Sequence, residues 1–400
     1  MLVTLLVSGI VARALGVSSY GLFQYALSLS LIFMSLSYIC GSEIIIPRLL
    51  RNISRRKQHD LLSNTFLLRL IAAISAYILL LLTAWYTEKS PLLLPIVSIL
   101  GMMILCNEPF AVTTAWLQSR TFSKPKVLIS ITAMLVKIGF VLIIYYIFDR
   151  NILGFAIAWV SEFIFLAIGL SIYYKKNIYL GRPRFKFQLI RKLFYKGLPF
   201  FLALLIMQIF LRADMLMLEV LADDFALGIY ASAMQLNLAV AAVAPLLVNT
   251  FAPKMVFSQK NISLIKRNVF YISGAIFGFS LLCLPILIYF SPMIVRIVFG
   301  ESFAMSSKVF SYLLPGCCLY YLDCGLNIFF VKMGLGKLIL LKWIFVLITA
   351  LGLYKVLIPN YGVVGAALGY DIALLAAVII SLSFIFIKDN VLSVVSGERY

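Results

Sequence analysis

Along the chain, apolar runs long enough to cross a bilayer alternate with short polar breaks. A helix needs about 20 apolar residues to span roughly 30 Å of hydrocarbon. Runs of that order lie at 1–12, 21–47, 62–85, 92–117, 127–148, 152–174, 198–222, 226–252, 269–290, 306–330, 338–358 and 362–387. They are continuously apolar, which predicts helices, since a barrel strand would show about ten residues of alternating character. The first run is short, with twelve residues before Arg13, or about 18 Å of helix. A cleaved leader is one reading, with Ala12-Arg13-Ala14 as its small-residue site, but no basic segment precedes the apolar stretch. The preferred expectation is a first helix clipped at its N-terminus.

The cations sort by alternate loops. One set of loops holds 25 Lys and Arg residues, among them Arg48 to Lys57, Arg120 to Lys126, Lys175 to Lys196, Lys254 to Arg267 and Lys332 to Lys342, while the opposite set holds six. The asymmetry appears only if every run crosses, and by the positive-inside rule it predicts cytoplasmic termini. The most basic loop, 175–197, divides the chain into an expected N-terminal lobe (1–174), a basic cytoplasmic linker (175–197), a C-terminal lobe (198–387) and a tail (388–400). The linker serves as a topology determinant beside anionic headgroups or as a landing strip for an anionic lipid-linked substrate. Shifting the first half by 207 positions lays Gly21, Phe23, Ala26 and Leu29 on Gly228, Tyr230, Ala233 and Leu236. A shift of 211 lays Gly154, Ala156 and Trp159 on Gly365, Ala367 and Tyr370. A duplicated six-helix unit is expected.

Composition agrees with lipid as the solvent: of 400 residues 63% are hydrophobic and 12% charged, and mean hydropathy is +1.06. A net charge of +19 then speaks of topology rather than of nucleic acid, and no nucleic-acid partner is expected. The single histidine, His59, lies in a basic loop and cannot build a His-dependent triad or a His metal cluster. Cys40, Cys106, Cys283, Cys317, Cys318 and Cys324 fall inside runs without CxxC spacing and are expected to be small buried residues. No GxxxxGK[ST] loop occurs. A membrane enzyme of polysaccharide assembly generally needs a catalytic loop outside the bilayer, and the longest outward loop here is about 291–305. The expectation is no enzyme, no cofactor and no metal.

Ionisable residues at membrane depth are functional candidates: Glu43, Arg69, Glu108, Lys137, Glu162, Arg212, Asp214, Glu219, Asp323 and Asp371. Glu43 and Arg69 lie near helix ends and are expected to snorkel, as is Glu219 on the other side. In the seventh run Gln208, Arg212 and Glu219 form one stripe, whereas Asp214 points elsewhere, so Arg212 and Asp214 should serve different neighbours. Tyr320, Asp323 and Asn327 make a one-face ladder in the tenth, suited equally to lining a lumen and to bonding between helices. Pro109, Pro245, Pro253, Pro285 and Pro315 should kink or hinge helices.

Several stretches resemble the Wzx-type polysaccharide flippases, of the superfamily that also holds MATE exporters and lipid II flippases. They are RALGVSSYG at 13–21, GLPFF at 197–201, RADMLML at 212–218, LGIYASAMQL at 227–236 and YGVVGAALGY at 361–370. The resemblance implies an all-α integral membrane protein of about twelve transmembrane helices in two six-helix lobes around a central cavity, in the bacterial inner membrane. It implies carriage of an undecaprenyl-pyrophosphate-linked oligosaccharide repeat unit for O-antigen or capsular polysaccharide, with a polysaccharide polymerase and a chain-length regulator as partners besides membrane lipids. Arg212, Lys137, Arg69, Gln208 and Asn327 are the substrate-binding candidates. Asp214, Glu162, Asp323 and Asp371 are candidates for coupling to H⁺ or Na⁺. Three basic against seven acidic residues inside the runs leave open whether the acids are paired or couple to a cation. A cation-coupled small-molecule exporter is the alternative on the same fold.

Overall fold

The computed structural model describes residues 2–50, 54–87, 90–148, 150–179, 181 and 183–395, and every element in them is helical. The helices are α1 (Leu2–Leu15), α2 (Val17–Ser35), α3 (Ser42–Leu50), α4 (Arg55–Thr87), α5 (Leu93–Asn107), α6 (Ala111–Ser119), α7 (Lys124–Tyr146), α8 (Ile152–Asn177), α9 (Phe187–Leu221), α10 (Asp224–Ala241), α11 (Val243–Ala252), α12 (Ile262–Val298), α13 (Ser306–Lys332) and α14 (Gly336–Val395). α14 is two arms broken at Gly362 (φ 57°, ψ −133°). Among the described residues ten helices or joined helices are long and apolar enough to cross a membrane, α14 among them, and α1 is a shorter apolar helix. Nine of the twelve apolar runs fall each on one helix or one arm of α14, while 21–47, 92–117 and 226–252 are each divided between two successive helices, as α2 and α3, α5 and α6, and α10 and α11.

Polar residues set the helix starts. The side chains of Asn151, Asp223 and Asn261 accept from the backbone N–H of Leu153, Ala226 and Ser263 at 3.0, 2.7 and 2.9 Å, occupying donors that a helix N-terminus leaves free. Between their ends the long helices present apolar side chains outward. Along α12, Leu282, Ile286, Tyr289, Met293 and Ile297 are all more than half exposed, a distribution that lipid rather than water accommodates.

The chain divides into two compact units, Leu22–Gln208 and Met1–Gly21 with Ile209–Tyr400. The division differs from the expected lobes at 1–174 and 198–387, because α1 belongs with the C-terminal half. Its Arg13 donates to the carbonyls of Arg296 and Ile297 at the end of α12, the favourable place for a cation on a helix. Within that unit, the first residues of α2 (Val17–Gly21) meet α10 backbone to backbone. A Cβ on Gly21 would stand 2.2 Å from the carbonyl oxygen of Asp224, and one on Gly228 2.1 Å from that of Val17. The stretches RALGVSSYG and LGIYASAMQL therefore bring their glycines together because no other residue permits the approach. α13 is central to this unit, packing on α10, α11, α12 and α14.

In the other unit α8 packs on α5, α6 and α7. Two of the expected single spans are broken here. α2 and α3 are separated by 36–41, where Cys40 takes a positive φ of 60°, and α5 and α6 by 108–110, which contain Pro109. Broken helices leave carbonyls without partners, which lipid cannot satisfy. Arg69 of α4 supplies them: it donates to the carbonyls of Ile39 (3.2 Å), Cys40 (2.8 Å) and Glu108 (3.0 Å). It is 1% exposed, so the expectation that it snorkels is corrected. Pro253 likewise opens a π-helical turn, Pro253–Phe257, whose carbonyls at Met255 and Phe257 receive Asn268 and Lys332.

Candidate functional site

The charged side chains inside the helices sort into closed pairs and one open cluster. In the unit Leu22–Gln208, Lys137 is 1% exposed. It bonds Glu162 at 2.5 Å and sits 4.4 Å over the ring of Trp159. Arg69 adds to its carbonyl contacts an ion pair with Glu108 at 3.6 Å, and its guanidinium faces the Tyr38 ring. Of the residues expected to meet substrate or coupling ion, Arg69, Lys137 and Glu162 are thus engaged within their own unit. Glu43 has its side chain outside the described residues.

The C-terminal unit holds a second closed network. Lys342 reaches both carboxylate oxygens of Asp323 at 3.0 Å and the side-chain oxygen of Asn327 at 2.8 Å. Asn327 and Ser381 each donate to Asp323 at 2.8 Å. Asp323 and Lys342 are both 1% exposed, so the polar ladder of α13 bonds helix to helix, pinning α13 to both arms of α14. The placement of Lys342 among the loop cations is corrected: it lies one to two turns inside α14, its charge matched by a carboxylate. A fourth cation inside the helices also moves the balance of three basic to seven acidic residues closer to parity.

The open cluster lies where three of the family-like stretches converge. Asp214 of α9, fully buried, accepts from the hydroxyl of Tyr230 at 2.6 Å and from the backbone N–H of Met215 at 2.7 Å. Tyr230 comes from LGIYASAMQL on α10. Among the described residues no ion pair joins Arg212 to Asp214, whose carboxylate is taken by those two donors. Tyr370, the last residue of YGVVGAALGY, stacks on Phe210 at 5.9 Å. Tyr354 of the first arm of α14 packs against the second arm, where a Cβ on Gly369 would stand 2.7 Å from its ring. Asp371 is wedged against α13, where a Cβ on Gly316 would fall 2.0 Å from its carboxylate oxygen. Gly316 is what lets the carboxyl approach.

Three buried polar atoms of this cluster make no hydrogen bond: Nε of Arg212, the hydroxyl of Tyr354 and Oδ1 of Asp371. Leaving such an atom unsatisfied costs about 1–3 kcal/mol, so the cluster has unused donors and an unused acceptor. Gln208, one turn before Arg212, is half-buried. Glu219, expected to reach outward, is 8% exposed. Tyr230, Tyr354 and Tyr370 were not among the expected site residues. Tyr230 and Tyr370 carried a signal in their stretches, whereas Tyr354 had none.

The sequence matches the family described as polysaccharide biosynthesis protein over residues 1–259. No curated protein is similar enough in sequence to be matched. Among solved structures, a multidrug resistance MATE family transporter of the MOP superfamily in its inward-facing conformation superposes with a TM-score of 0.79 at 16% identity, covering 98% of this chain and 95% of that one. The lipid II flippase MurJ, inward closed, gives 0.73 at 15% identity over 96% of this chain and 85% of that one. A MOP superfamily transporter from Pyrococcus furiosus, noted for the reverse polarity of its binding pocket, gives 0.62 at 15% identity over 98% and 92%. Similarity at that level of identity speaks for fold. The chain is a multi-pass membrane protein with the fold of MOP superfamily transporters, and it belongs to the polysaccharide biosynthesis protein family.

Proposed function

We propose that the chain is a Wzx-type flippase. It moves an undecaprenyl-pyrophosphate-linked oligosaccharide repeat unit across the bacterial inner membrane for O-antigen or capsular polysaccharide assembly, with both termini cytoplasmic. The observation that carries the reading is Arg212, a cation at membrane depth whose Nε is buried without a hydrogen bond beside a tyrosine-rich cluster. A guanidinium held so has donors to offer a pyrophosphate, which its planar fork suits better than an ammonium. Asp214 and Tyr230 anchor the neighbouring helices, and Lys137 and Arg69 hold their own unit. A polymerase and a chain-length regulator are the expected partners.

Coupling to H⁺ or Na⁺ belongs to the same proposal. Of the four carboxyls considered for it, Asp323 and Glu162 are paired with lysines and Asp214 accepts from a tyrosine. Asp371 keeps an oxygen without a partner. This observation also supports the second reading, a cation-coupled exporter of small molecules. A membrane enzyme is the least supported reading, the similar solved structures being those of transporters and a flippase.

The test is Arg212→Ala in a strain that depends on this chain for surface polysaccharide. The expected result is loss of the polysaccharide, accumulation of undecaprenyl-linked oligosaccharide on the cytoplasmic side and near-normal protein in the membrane, with Arg212→Lys restoring part of the export. Full export by a normally abundant Arg212→Ala protein would remove the residue from the mechanism. Altered drug sensitivity with intact polysaccharide would favour the exporter.

A further inference from the structure

His59, the one histidine of the chain, was expected in a basic loop. Instead the fold buries it fully in the first turns of α4, ahead of the apolar run 62–85 and so outside the spanning segment. Neither ring nitrogen makes a hydrogen bond. The ring stacks on Tyr174 at 6.0 Å and meets Tyr179 edge-on at 5.5 Å. Its Nδ1 stands 3.9 Å from Oδ1 of Asp60, too far for a hydrogen bond, and Arg56 Nε approaches the same oxygen at 3.8 Å. Among the described residues the charged and titratable groups around the ring are therefore Arg56 and Asp60 of its own helix, Tyr174 of α8 and Tyr179 just beyond it.

That Asp60 oxygen also holds the chain that follows α8. It accepts the N–H of Arg184 at 3.3 Å. Asn64, one turn along α4 and fully buried, grips the same segment twice: its amide donates to the Arg184 carbonyl at 2.9 Å, and its side-chain oxygen accepts the N–H of Lys186 at 2.8 Å. A further bond from the amide to the Asp60 carbonyl, at 2.6 Å, fixes the Asn64 side chain itself. Residues 183–186 are thereby latched onto α4, and Pro183 and Phe185 wall a cavity of about 330 Å³ together with His59, Tyr174 and Tyr179. α9 begins at the next residue, Phe187, so the latch fixes the start of the helix that carries Arg212.

We propose that residues 183–186 form an acid-released latch with His59 as its sensor. A neutral imidazole can sit between the two tyrosine rings, but an imidazolium would carry two N–H donors and a charge into a pocket of rings. The carboxylate beside it, Asp60, already receives Arg184. Burial accordingly pulls His59 below the ordinary histidine value, against the opposing pull of Asp60. In the released form His59 takes a proton from solvent, and the imidazolium then donates to Asp60 in place of the Arg184 N–H, which keeps the segment from settling back. Because the latched form binds the proton less well, the latch is fully favoured above the ordinary pKa and is lost as pH falls below it. If only the released form is protonated, its population rises about 10-fold between about pH 7.5 and 5.5. The inference does not rest on the export reading, since every group of the latch lies in the unit Leu22–Gln208 and is read on purified protein.

With one histidine in the chain, full-length protein in detergent, isotope-labelled at histidine, gives a single imidazole NMR signal. In the unchanged protein that signal should titrate below the ordinary histidine range, and Asn64→Leu, which removes the grip on 183–186, should bring it back to about 6.5. Trypsin cleavage after Arg184 and Lys186, both exposed, reads the released segment. Dividing each rate by that of a His59→Phe protein at the same pH removes the protease's own pH dependence. The ratio should rise about 10-fold from about pH 7.5 to 5.5, with the melting temperature of His59→Phe near that of the unchanged protein. A His59 signal that titrates at about 6.5 in the unchanged protein, or a cleavage ratio that does not move with pH, would overturn the latch. Should Asn64→Leu fail to fold, the comparison with His59→Phe still decides.

Discussion

Replacing Arg69 with leucine tests how this protein tolerates broken helices inside a membrane. The side chain is 1% exposed and serves three carbonyls at 2.8–3.2 Å, two from the break between α2 and α3 and one from that between α5 and α6. It also faces the Glu108 carboxylate at 3.6 Å. Each buried acceptor left unsatisfied costs about 1–3 kcal/mol, and breaking a buried ion pair by removing one partner costs about 3–5 kcal/mol. Relaxation and protonation of Glu108 recover part of this, so a net loss of about 4 kcal/mol is expected. For a unit of this size that corresponds to a melting temperature lower by roughly 10 °C. Arg69→Lys keeps the charge but, lacking the planar fork, cannot serve two breaks at once, and should recover less than half of the loss. The assay is the thermal melting of detergent-solubilised protein together with its abundance in membranes. An Arg69→Leu protein of normal abundance and unchanged melting temperature that nevertheless fails to export would refute the clamp and return Arg69 to the substrate candidates.

Three further outcomes follow from the packing. In the network of α13 and α14, Lys342→Met should destabilise by about 3 kcal/mol because it strands a buried carboxylate, and adding Asp323→Leu should restore much of that; additive losses in melting experiments would show that the pair is not coupled. Gly228→Leu should abolish folded protein, since a Cβ there would stand 2.1 Å from the carbonyl oxygen of Val17, and near-normal abundance would contradict the backbone contact of α2 with α10. Reporter fusions after Arg56, Lys186 and Lys260 should read cytoplasmic, and fusions near Asp223 and Ser302 periplasmic, while a periplasmic signal at Lys186 would break the twelve-span arrangement.

The hydrophobic pattern alone was enough for the class and for the helices, because lipid admits few alternatives: a continuous apolar run of about 20 residues must close its own hydrogen bonds as a helix. Helix periodicity also placed Arg212 and Asp214 on different sides of α9 and put Asp323 in line with Asn327, since one turn is a local property. Partners across helices were another matter. Arg69 meets Cys40 and Glu108 over 29 and 39 positions, and nothing in the run 62–85 tells that two other helices break beside it. Lys342 looked like a loop cation until the fold set Asp323, Asn327 and Ser381 around it. His59 read as a residue of a basic loop, but the fold buries it in the first turns of α4 against the rings of Tyr174 and Tyr179. The sequence by itself determined the apolar centres of the helices and the offsets of residues along them, but not the breaks at 36–41 and 108–110 or the starts of α4 and α9 at Arg55 and Phe187. Which charges are closed into pairs and which keep an unused hydrogen bond was decided by tertiary contact alone, since in a low-dielectric interior a charge is stabilised by whatever group lies within a few ångströms, however distant along the chain.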